Sequence, residues 1–234
     1  MKLLIIQIIF CIFFINAQAQ TFSAKLNNPL PGLPEMDVVL LPFGMDYPFK
    51  IGVLKKDGTL SFDLSNSDLS NIPQEHFEMF LSEYLNENLS LKCDSSNNLQ
   101  QPENFKAQRG GYIGLWYKNR WAGTIFTVSD EELMHWLEDE AYIEPVLGSY
   151  YEFIYVSEPI EINTSCTNTW HLTDKKIEAT HTYEFSLQKG FNFLEYQIQE
   201  IYKTNPNETS SKPSKVLIKN VNDPSKIKWI AKYF

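Results

Sequence analysis

The sequence predicts a mainly β fold, an antiparallel sandwich or open barrel, with two short amphipathic helices; α+β is the alternative label for the same pattern. Apolar and polar residues alternate from Ala179 to Leu187, as in a strand with one buried face. Asp57-Gly58 separates two further alternating runs, which is a strong hairpin signal. From Gly148 onward the apolar runs have strand length, and sequential hairpins of this kind favour antiparallel architectures.

The first half of the chain predicts strands around one helix. Residues 20–35 predict an irregular lead-in, because Pro29, Pro31 and Pro34 favour extended backbone at the residues before them. Apolar residues at helical spacing predict an amphipathic helix over 73–86, and 94–110 predicts a polar loop. The strands predicted here are 37–43, 49–54, 59–64, 89–93, 112–117 and 121–128.

The second helix is predicted from Ser129, which forms a capping-box pattern with Glu132, to about Tyr142. Tyr150, Tyr151, Phe153 and Tyr155 load both faces of one later strand, which predicts a strand covered on both sides. The strands predicted after this helix are 149–156, 159–165, 177–188, 191–203, 214–221 and 227–233.

The first nineteen residues predict a secretory signal peptide: Lys2, an apolar run, and Ala17-Gln-Ala19 as the cleavage site. The apolar run is shorter than the roughly 20 residues that a spanning helix needs, so an uncleaved anchor is the weaker alternative. After cleavage we expect no membrane-spanning segment. The mature chain, 20–234, would be exported to the periplasm, the cell surface or the medium. We expect one domain, with a subdivision into a hairpin-helix part, 36–148, and an all-β part, 149–234, left open.

Export bears on the cysteines, because thiols in an oxidising compartment tend to pair. Cys11 lies in the signal peptide, so Cys93 and Cys166 are predicted to form a disulfide bond. The alternative is that both are small buried apolar residues. Neither lies in a zinc or redox spacing.

Composition and motifs exclude several function classes. The formal net charge of −9 argues against nucleic acid as a partner. No nucleophile or phosphate-loop motif is present, and Arg109-Gly-Gly111 is too short for a nucleotide site, so we name no catalytic residues. The acids between Asp130 and Glu144 are explained by helix capping and a solvated face. No cofactor and no metal site are predicted, and His181 is expected to be a core histidine.

One group of aromatic residues is a candidate ligand-binding surface. Trp116, Tyr117 and Trp121 surround a tight turn beside Arg120, and aromatic rings next to a guanidinium can bind a sugar face or a protein partner. The alternative is that the tryptophans point into the core.

The function predicted from these observations is that of a soluble, exported, non-catalytic β-rich protein that acts in binding or interaction at the cell envelope. Its partner would be a glycan, a protein or a small apolar ligand. One alternative is a secreted hydrolase acting on glycans, although the sequence does not indicate which two carboxylates would form its catalytic pair. The other is a carrier that holds an apolar ligand inside a β-barrel.

Overall fold

The computed structural model describes residues 21–64, 69, 72–81, 83, 102–140, 142–172, 175–203 and 212–234. Strands dominate this part of the chain, so the prediction of a mainly β fold with two short helices is confirmed. Neither helix has the length and apolar composition needed to cross a bilayer. The predicted signal peptide and the predicted strand 89–93 lie outside the described residues.

The described elements are thirteen strands and two α-helices. In the first half they are β1 (Thr21–Lys25), β2 (Met36–Leu40), β3 (Phe49–Leu54), β4 (Thr59–Asp63), α1 (Gln74–Phe80), β5 (Ala107–Arg109), β6 (Ile113–Tyr117), β7 (Arg120–Val128) and α2 (Glu132–Glu138). In the second half they are β8 (Gly148–Val156), β9 (Ile160–Leu172), β10 (Lys175–Leu187), β11 (Gly190–Tyr202), β12 (Lys212–Asn220) and β13 (Lys228–Tyr233), with a 3₁₀ turn at Pro224–Lys226.

The first part of the sheet closes into a ring of strands in the order β1-β4-β3-β2-β6-β7-β13. Leu26, just after β1, forms a parallel bridge to Trp229 of β13. The side chain of Asn28 completes this contact, since its Nδ2 donates to the carbonyl oxygen of Ala231 at 2.8 Å and its Oδ1 accepts from the amide of Ala231 at 2.9 Å. An asparagine amide therefore pairs with β13 as a neighbouring strand would.

The second part of the sheet runs β8-β11-β12-β10-β9, and β8 joins it to the ring. Tyr151, Phe153 and Tyr155 on one face of β8 belong to the core of the ring. Ile154 and Val156 on the other face belong to a second core with β9, β10, β11 and β12. The prediction that this strand is covered on both faces is confirmed.

Several boundaries differ from the prediction. β1 forms where an irregular lead-in was predicted, because its backbone pairs with β4, and β5 forms at the end of the predicted polar loop, because it pairs with β8. The helix predicted over 73–86 is described only as Gln74–Phe80, and Leu81 is extended. β1 and β5 take their structure from partner strands that are distant in sequence.

The capping box predicted at Ser129 is wrong, and the second helix is shorter than predicted. α2 begins at Glu132, whose amide donates to Oδ1 of Asp130 at 3.1 Å. Ser129 Oγ instead accepts from the amide of Ser149 at 2.7 Å, which ties the end of β7 to β8. A strand-to-strand contact has taken the hydroxyl that the local pattern assigned to the helix.

The order of the last strands also differs from sequential hairpins. The chain turns between β10 and β11 at Gln188, where the buried Asn192 side chain accepts from the Gln188 amide at 2.9 Å. However, β12 lies between these two strands and pairs in parallel with β10. All other strand pairs in the described part of the chain are antiparallel.

Candidate functional site

The hairpin between β6 and β7 carries the four residues predicted to bind a ligand. Trp116 pairs with Trp121, and Tyr117 pairs with Arg120. Directly opposite residues of an antiparallel pair project from the same face, and successive residues project from opposite faces. The ladder therefore places the two tryptophans on one face of the hairpin and Tyr117 with Arg120 on the other, so the four side chains form two small surfaces.

The outer tryptophan is half exposed and contacts the last residue of the chain. Trp121 is 39% exposed, its Nε1 donates to the carbonyl oxygen of Gly123 at 2.7 Å, and its ring meets Phe234 edge to face at 5.2 Å. Trp116 is more buried, and its Nε1 has no hydrogen-bond partner among the described residues. On the other face Tyr117 is 38% exposed, with Lys118 Nζ 5.1 Å from its ring centre.

A cleft of about 410 Å³ lies elsewhere, where β7 changes neighbours. Pairing of β6 with β7 stops at Ile125, and pairing of β8 with β7 takes place at Val128. Val128 also pairs with β13 on its other side, so β6 and β8 occupy the same edge of β7. Phe126 and Thr127 lie in the gap between them and form part of the cleft wall, which we call the β6–β8 cleft. Its other lining residues are Leu41, Pro42, Gln108, Arg109, Gly111, Tyr112, Ile113, Ile125, Leu137, Glu140, Tyr150, Tyr151 and Glu152.

An ion pair lies on the wall of this cleft. Arg109 Nη2 of β5 donates to Oε1 of Glu152 of β8 at 2.5 Å, and the two side chains are 46% and 27% exposed. Burial is the largest single effect on Arg109 and disfavours the charged guanidinium, but the charge and hydrogen bond of Glu152, together with the phenols of Tyr196 and Tyr150, outweigh it and raise the pKa of Arg109. The position of Glu152 is unusual, because its neighbours on the same face of β8 are Tyr150 and Ile154, which contact the second core.

Two tyrosines pack beside this ion pair, Tyr196, which is buried, and Tyr150, which is partly buried. The rings of Tyr150 and Tyr196 stack at 4.8 Å, and Trp136 of α2 meets Tyr150 at 5.9 Å. Burial raises the pKa of both phenols, and the negative charge of Glu152 raises them further. Both hydroxyls are neutral at pH 7, and Tyr150 lines the cleft beside the charged pair.

One member of the acidic run lines the same cleft as Glu152. Glu140 follows α2 and lines the same cleft, while Glu138 accepts a hydrogen bond from Lys232 of β13. The other acids described in this run lie exposed, as the sequence predicted for a solvated face.

Sequence reasoning missed the cleft residues for identifiable reasons. Arg109 is followed by Gly110 and Gly111, a pattern that is informative only about a phosphate loop, whereas in the structure Arg109 lies on the short strand β5 and reaches Glu152 of β8. The sequence does contain an indication that Glu152 is special. It is the single charged residue within the apolar run 150–156, on a strand predicted to be covered on both sides.

The remaining predicted residues have separate positions. His181 is buried, at 8% exposure, on the face of β10 that carries Tyr183, so its prediction as a core histidine is confirmed. Cys166 is buried in β9, but Cys93 lies outside the described residues, so their pairing stays a prediction. Within the described ranges no group of three His, Cys, Asp or Glu residues is placed to hold a metal ion.

Comparison with known proteins gives no further guidance. No protein-family model, curated protein or solved structure matches the chain.

The structure predicts different costs for removing two tryptophans. Trp121→Ala removes an exposed ring and one edge-to-face contact, so the free energy of unfolding should fall by about 1 kcal/mol. Trp229→Ala removes a side chain that is 1% exposed and stacks among Phe62 and Phe193, which should cost about 3–5 kcal/mol. Urea unfolding of both variants measures the difference. Equal losses would show that Trp121 belongs to the core.

The buried tyrosines predict how stability depends on pH. Above pH 10.0, the ordinary pKa of tyrosine, the unfolded chain releases the Tyr196 proton while the folded chain keeps it. The free energy of unfolding should therefore fall with rising pH, by up to about 1.4 kcal/mol per pH unit for each such tyrosine.

Tyr196→Phe should make this decline less steep, whereas the matched change Tyr142→Phe, at a side chain 81% exposed, should leave it unchanged. Urea unfolding at pH 9, 10 and 11 gives the slopes. The same slope in both variants would contradict the buried placement of Tyr196.

Proposed function

We propose that the chain is an exported, non-catalytic binding protein whose ligand is a small polar molecule held in the β6–β8 cleft. The observation that carries this proposal is the Arg109–Glu152 ion pair on the wall of a cleft of about 410 Å³. Ligand sites are commonly clefts of about 300–1,000 Å³ with mostly apolar walls and a few fixed polar groups. The charged wall also disfavours the alternative of a carrier for a purely apolar ligand, because binding would bury charges without new partners.

The hairpin tip supports a second binding surface on the same protein. Tyr117, Arg120 and Trp121 are exposed there, as a surface for a glycan or protein partner requires. However, the ladder divides them between two faces, so neither face offers the combined platform that the sequence predicts. For this reason the cleft is the preferred site.

A glycan hydrolase is the second candidate function, and one specific observation favours it. Glu140 and Glu152 line the same cleft with Tyr112 and Tyr150, and glycoside hydrolysis uses two carboxylates on opposite sides of the substrate. Against this, an oxygen of Glu152 accepts the hydrogen bond of Arg109 at 2.5 Å. A non-catalytic role is compatible with a Glu152 carboxylate that stays hydrogen-bonded to Arg109.

Export is supported by the signal-peptide pattern of the first nineteen residues. Because thiols tend to pair in an oxidising compartment, export in turn supports a disulfide bond between Cys93 and Cys166. Such a bond would close a long loop and stabilise the fold by about 4 kcal/mol in the chain-entropy model.

The binding proposal predicts a ligand-dependent rise in melting temperature that requires Arg109. A panel of soluble glycans, peptidoglycan fragments, amino acids, fatty acids and divalent metals is tested by thermal shift. A compound at a hundred times its Kd stabilises the folded state by about 2.7 kcal/mol, which such a scan detects. Arg109→Gln should abolish the shift, because it removes the cation of the cleft wall.

Lys215→Gln is the matched control, since it removes one positive charge from an exposed ion pair outside the cleft. A compound that shifts the wild type and Arg109→Gln equally would place its site elsewhere and overturn the proposal. Release of reducing ends from a bound glycan, lost in Glu140→Gln, would establish the hydrolase instead.

The disulfide is tested separately by intact-mass analysis of the protein recovered from its native compartment without reductant. We expect a mass about 2 Da below that of the reduced chain, because formation of one bond between Cys93 and Cys166 removes two hydrogens. The same sample treated with reductant is the control. Two free thiols in the unreduced sample would contradict both the bond and the argument from export.

A further inference from the structure

We infer that the β6–β8 cleft takes a small zwitterion, a molecule with a carboxylate and an ammonium group on the same carbon atom and an apolar side chain, such as a free α-amino acid. This inference rests on the proposed function and names its ligand class. It follows from the charges on the cleft wall and from the residues that line the rest of it.

The cleft wall presents both signs of charge within one hydrogen-bonded pair. Arg109 is a cation and Glu152 is an anion, with 46% and 27% of their side chains exposed, so a ligand can reach each of them. A guanidinium has five N–H donors and a carboxylate has about four acceptor positions, so each group can serve a ligand while it keeps the other. A ligand carboxylate would bind Arg109, and a ligand ammonium would bind Glu152.

A singly charged ligand fits this wall less well. An anion alone would meet Arg109 but also lie beside the carboxylate of Glu152, and a cation alone would lie beside the guanidinium. A zwitterion meets both groups with opposite charge. Partly desolvated charges are best stabilised when each has an opposite partner.

The rest of the cleft suits an apolar side chain of moderate size. Its volume of about 410 Å³ lies near the lower end of the range for small-molecule sites, which favours a ligand of the size of an amino acid. The apolar walls come from β6, β7, α2 and the segment after β2, and they are Leu41, Pro42, Ile113, Ile125, Phe126 and Leu137.

The experiment compares three molecules that share a phenylethyl group and differ in charge. L-Phenylalanine carries both charges at pH 7, 3-phenylpropanoate carries only the carboxylate, and 2-phenylethylamine carries only the ammonium. We expect calorimetric titration of the purified protein to show L-phenylalanine binding at least tenfold tighter than either analogue.

Two variants test which residue binds each charged group of the ligand. In Arg109→Gln the preference for L-phenylalanine over 2-phenylethylamine should disappear, because the ligand carboxylate has lost its partner. In Glu152→Gln the preference over 3-phenylpropanoate should disappear for the corresponding reason. Lys215→Gln should keep both preferences.

The outcomes separate this inference from the proposed function. Equal affinity for the three molecules, or tighter binding of a singly charged one, overturns the zwitterion inference and leaves the cleft as a binding site. If none of the three molecules binds but another compound of the thermal-shift panel binds through Arg109, the zwitterion inference is likewise overturned and the cleft remains a binding site. Binding that Arg109→Gln and Glu152→Gln leave unchanged overturns both. The wild-type comparison decides the inference even if a variant does not fold.

Discussion

The structure depends on one strand, β8, that has an apolar core on each of its faces. Tyr151, Phe153 and Tyr155 pack into the core of the ring, whereas Ile154 and Val156 pack into the second core. Successive side chains of a strand project to opposite faces, so a shift of one residue in its pairing would exchange the two sets. The aromatic contacts fix this register, with Phe153 stacked on Phe193 at 4.4 Å on one face and Tyr150 stacked on Tyr196 at 4.8 Å on the other.

The cleft is a consequence of the way this strand joins the ring. The edge of β7 is shared between β6 and β8, and the two do not meet, so Phe126 and Thr127 face an opening. The opening is held by bonds across it, since Thr127 Oγ1 donates to the carbonyl oxygen of Tyr151 at 2.6 Å and Gln108 Nε2 donates to that of Pro42 at 2.9 Å. If the proposed ligand binds here, a cleft held in this way would keep its charged groups in place beforehand, which lowers the cost of binding.

The sequence predicts the fold class and most strands, because alternation and turn residues are local signals, and it also predicts that β8 is covered on both faces. It does not predict β1 or β5, whose structure comes from pairing with distant strands, nor the position of β12 between β10 and β11. At the candidate sites it identifies the hairpin residues but not their division between two faces, which depends on the register of Trp116 with Trp121. The Arg109–Glu152 pair was inaccessible to it, because the two residues are 43 positions apart and only the pairing of β5 with β8 brings them together.

Because β8 joins the ring to the second part of the sheet, we expect the two to unfold as one cooperative unit. Native-state hydrogen exchange at increasing denaturant tests it most directly. We predict that the slowest amides of β7 in the ring and of β10 in the second part reach the same free energy of opening as those of β8, the value for global unfolding. Opening of residues 36–148 at a lower free energy, while 149–234 stay protected, would contradict the account and show two independent units.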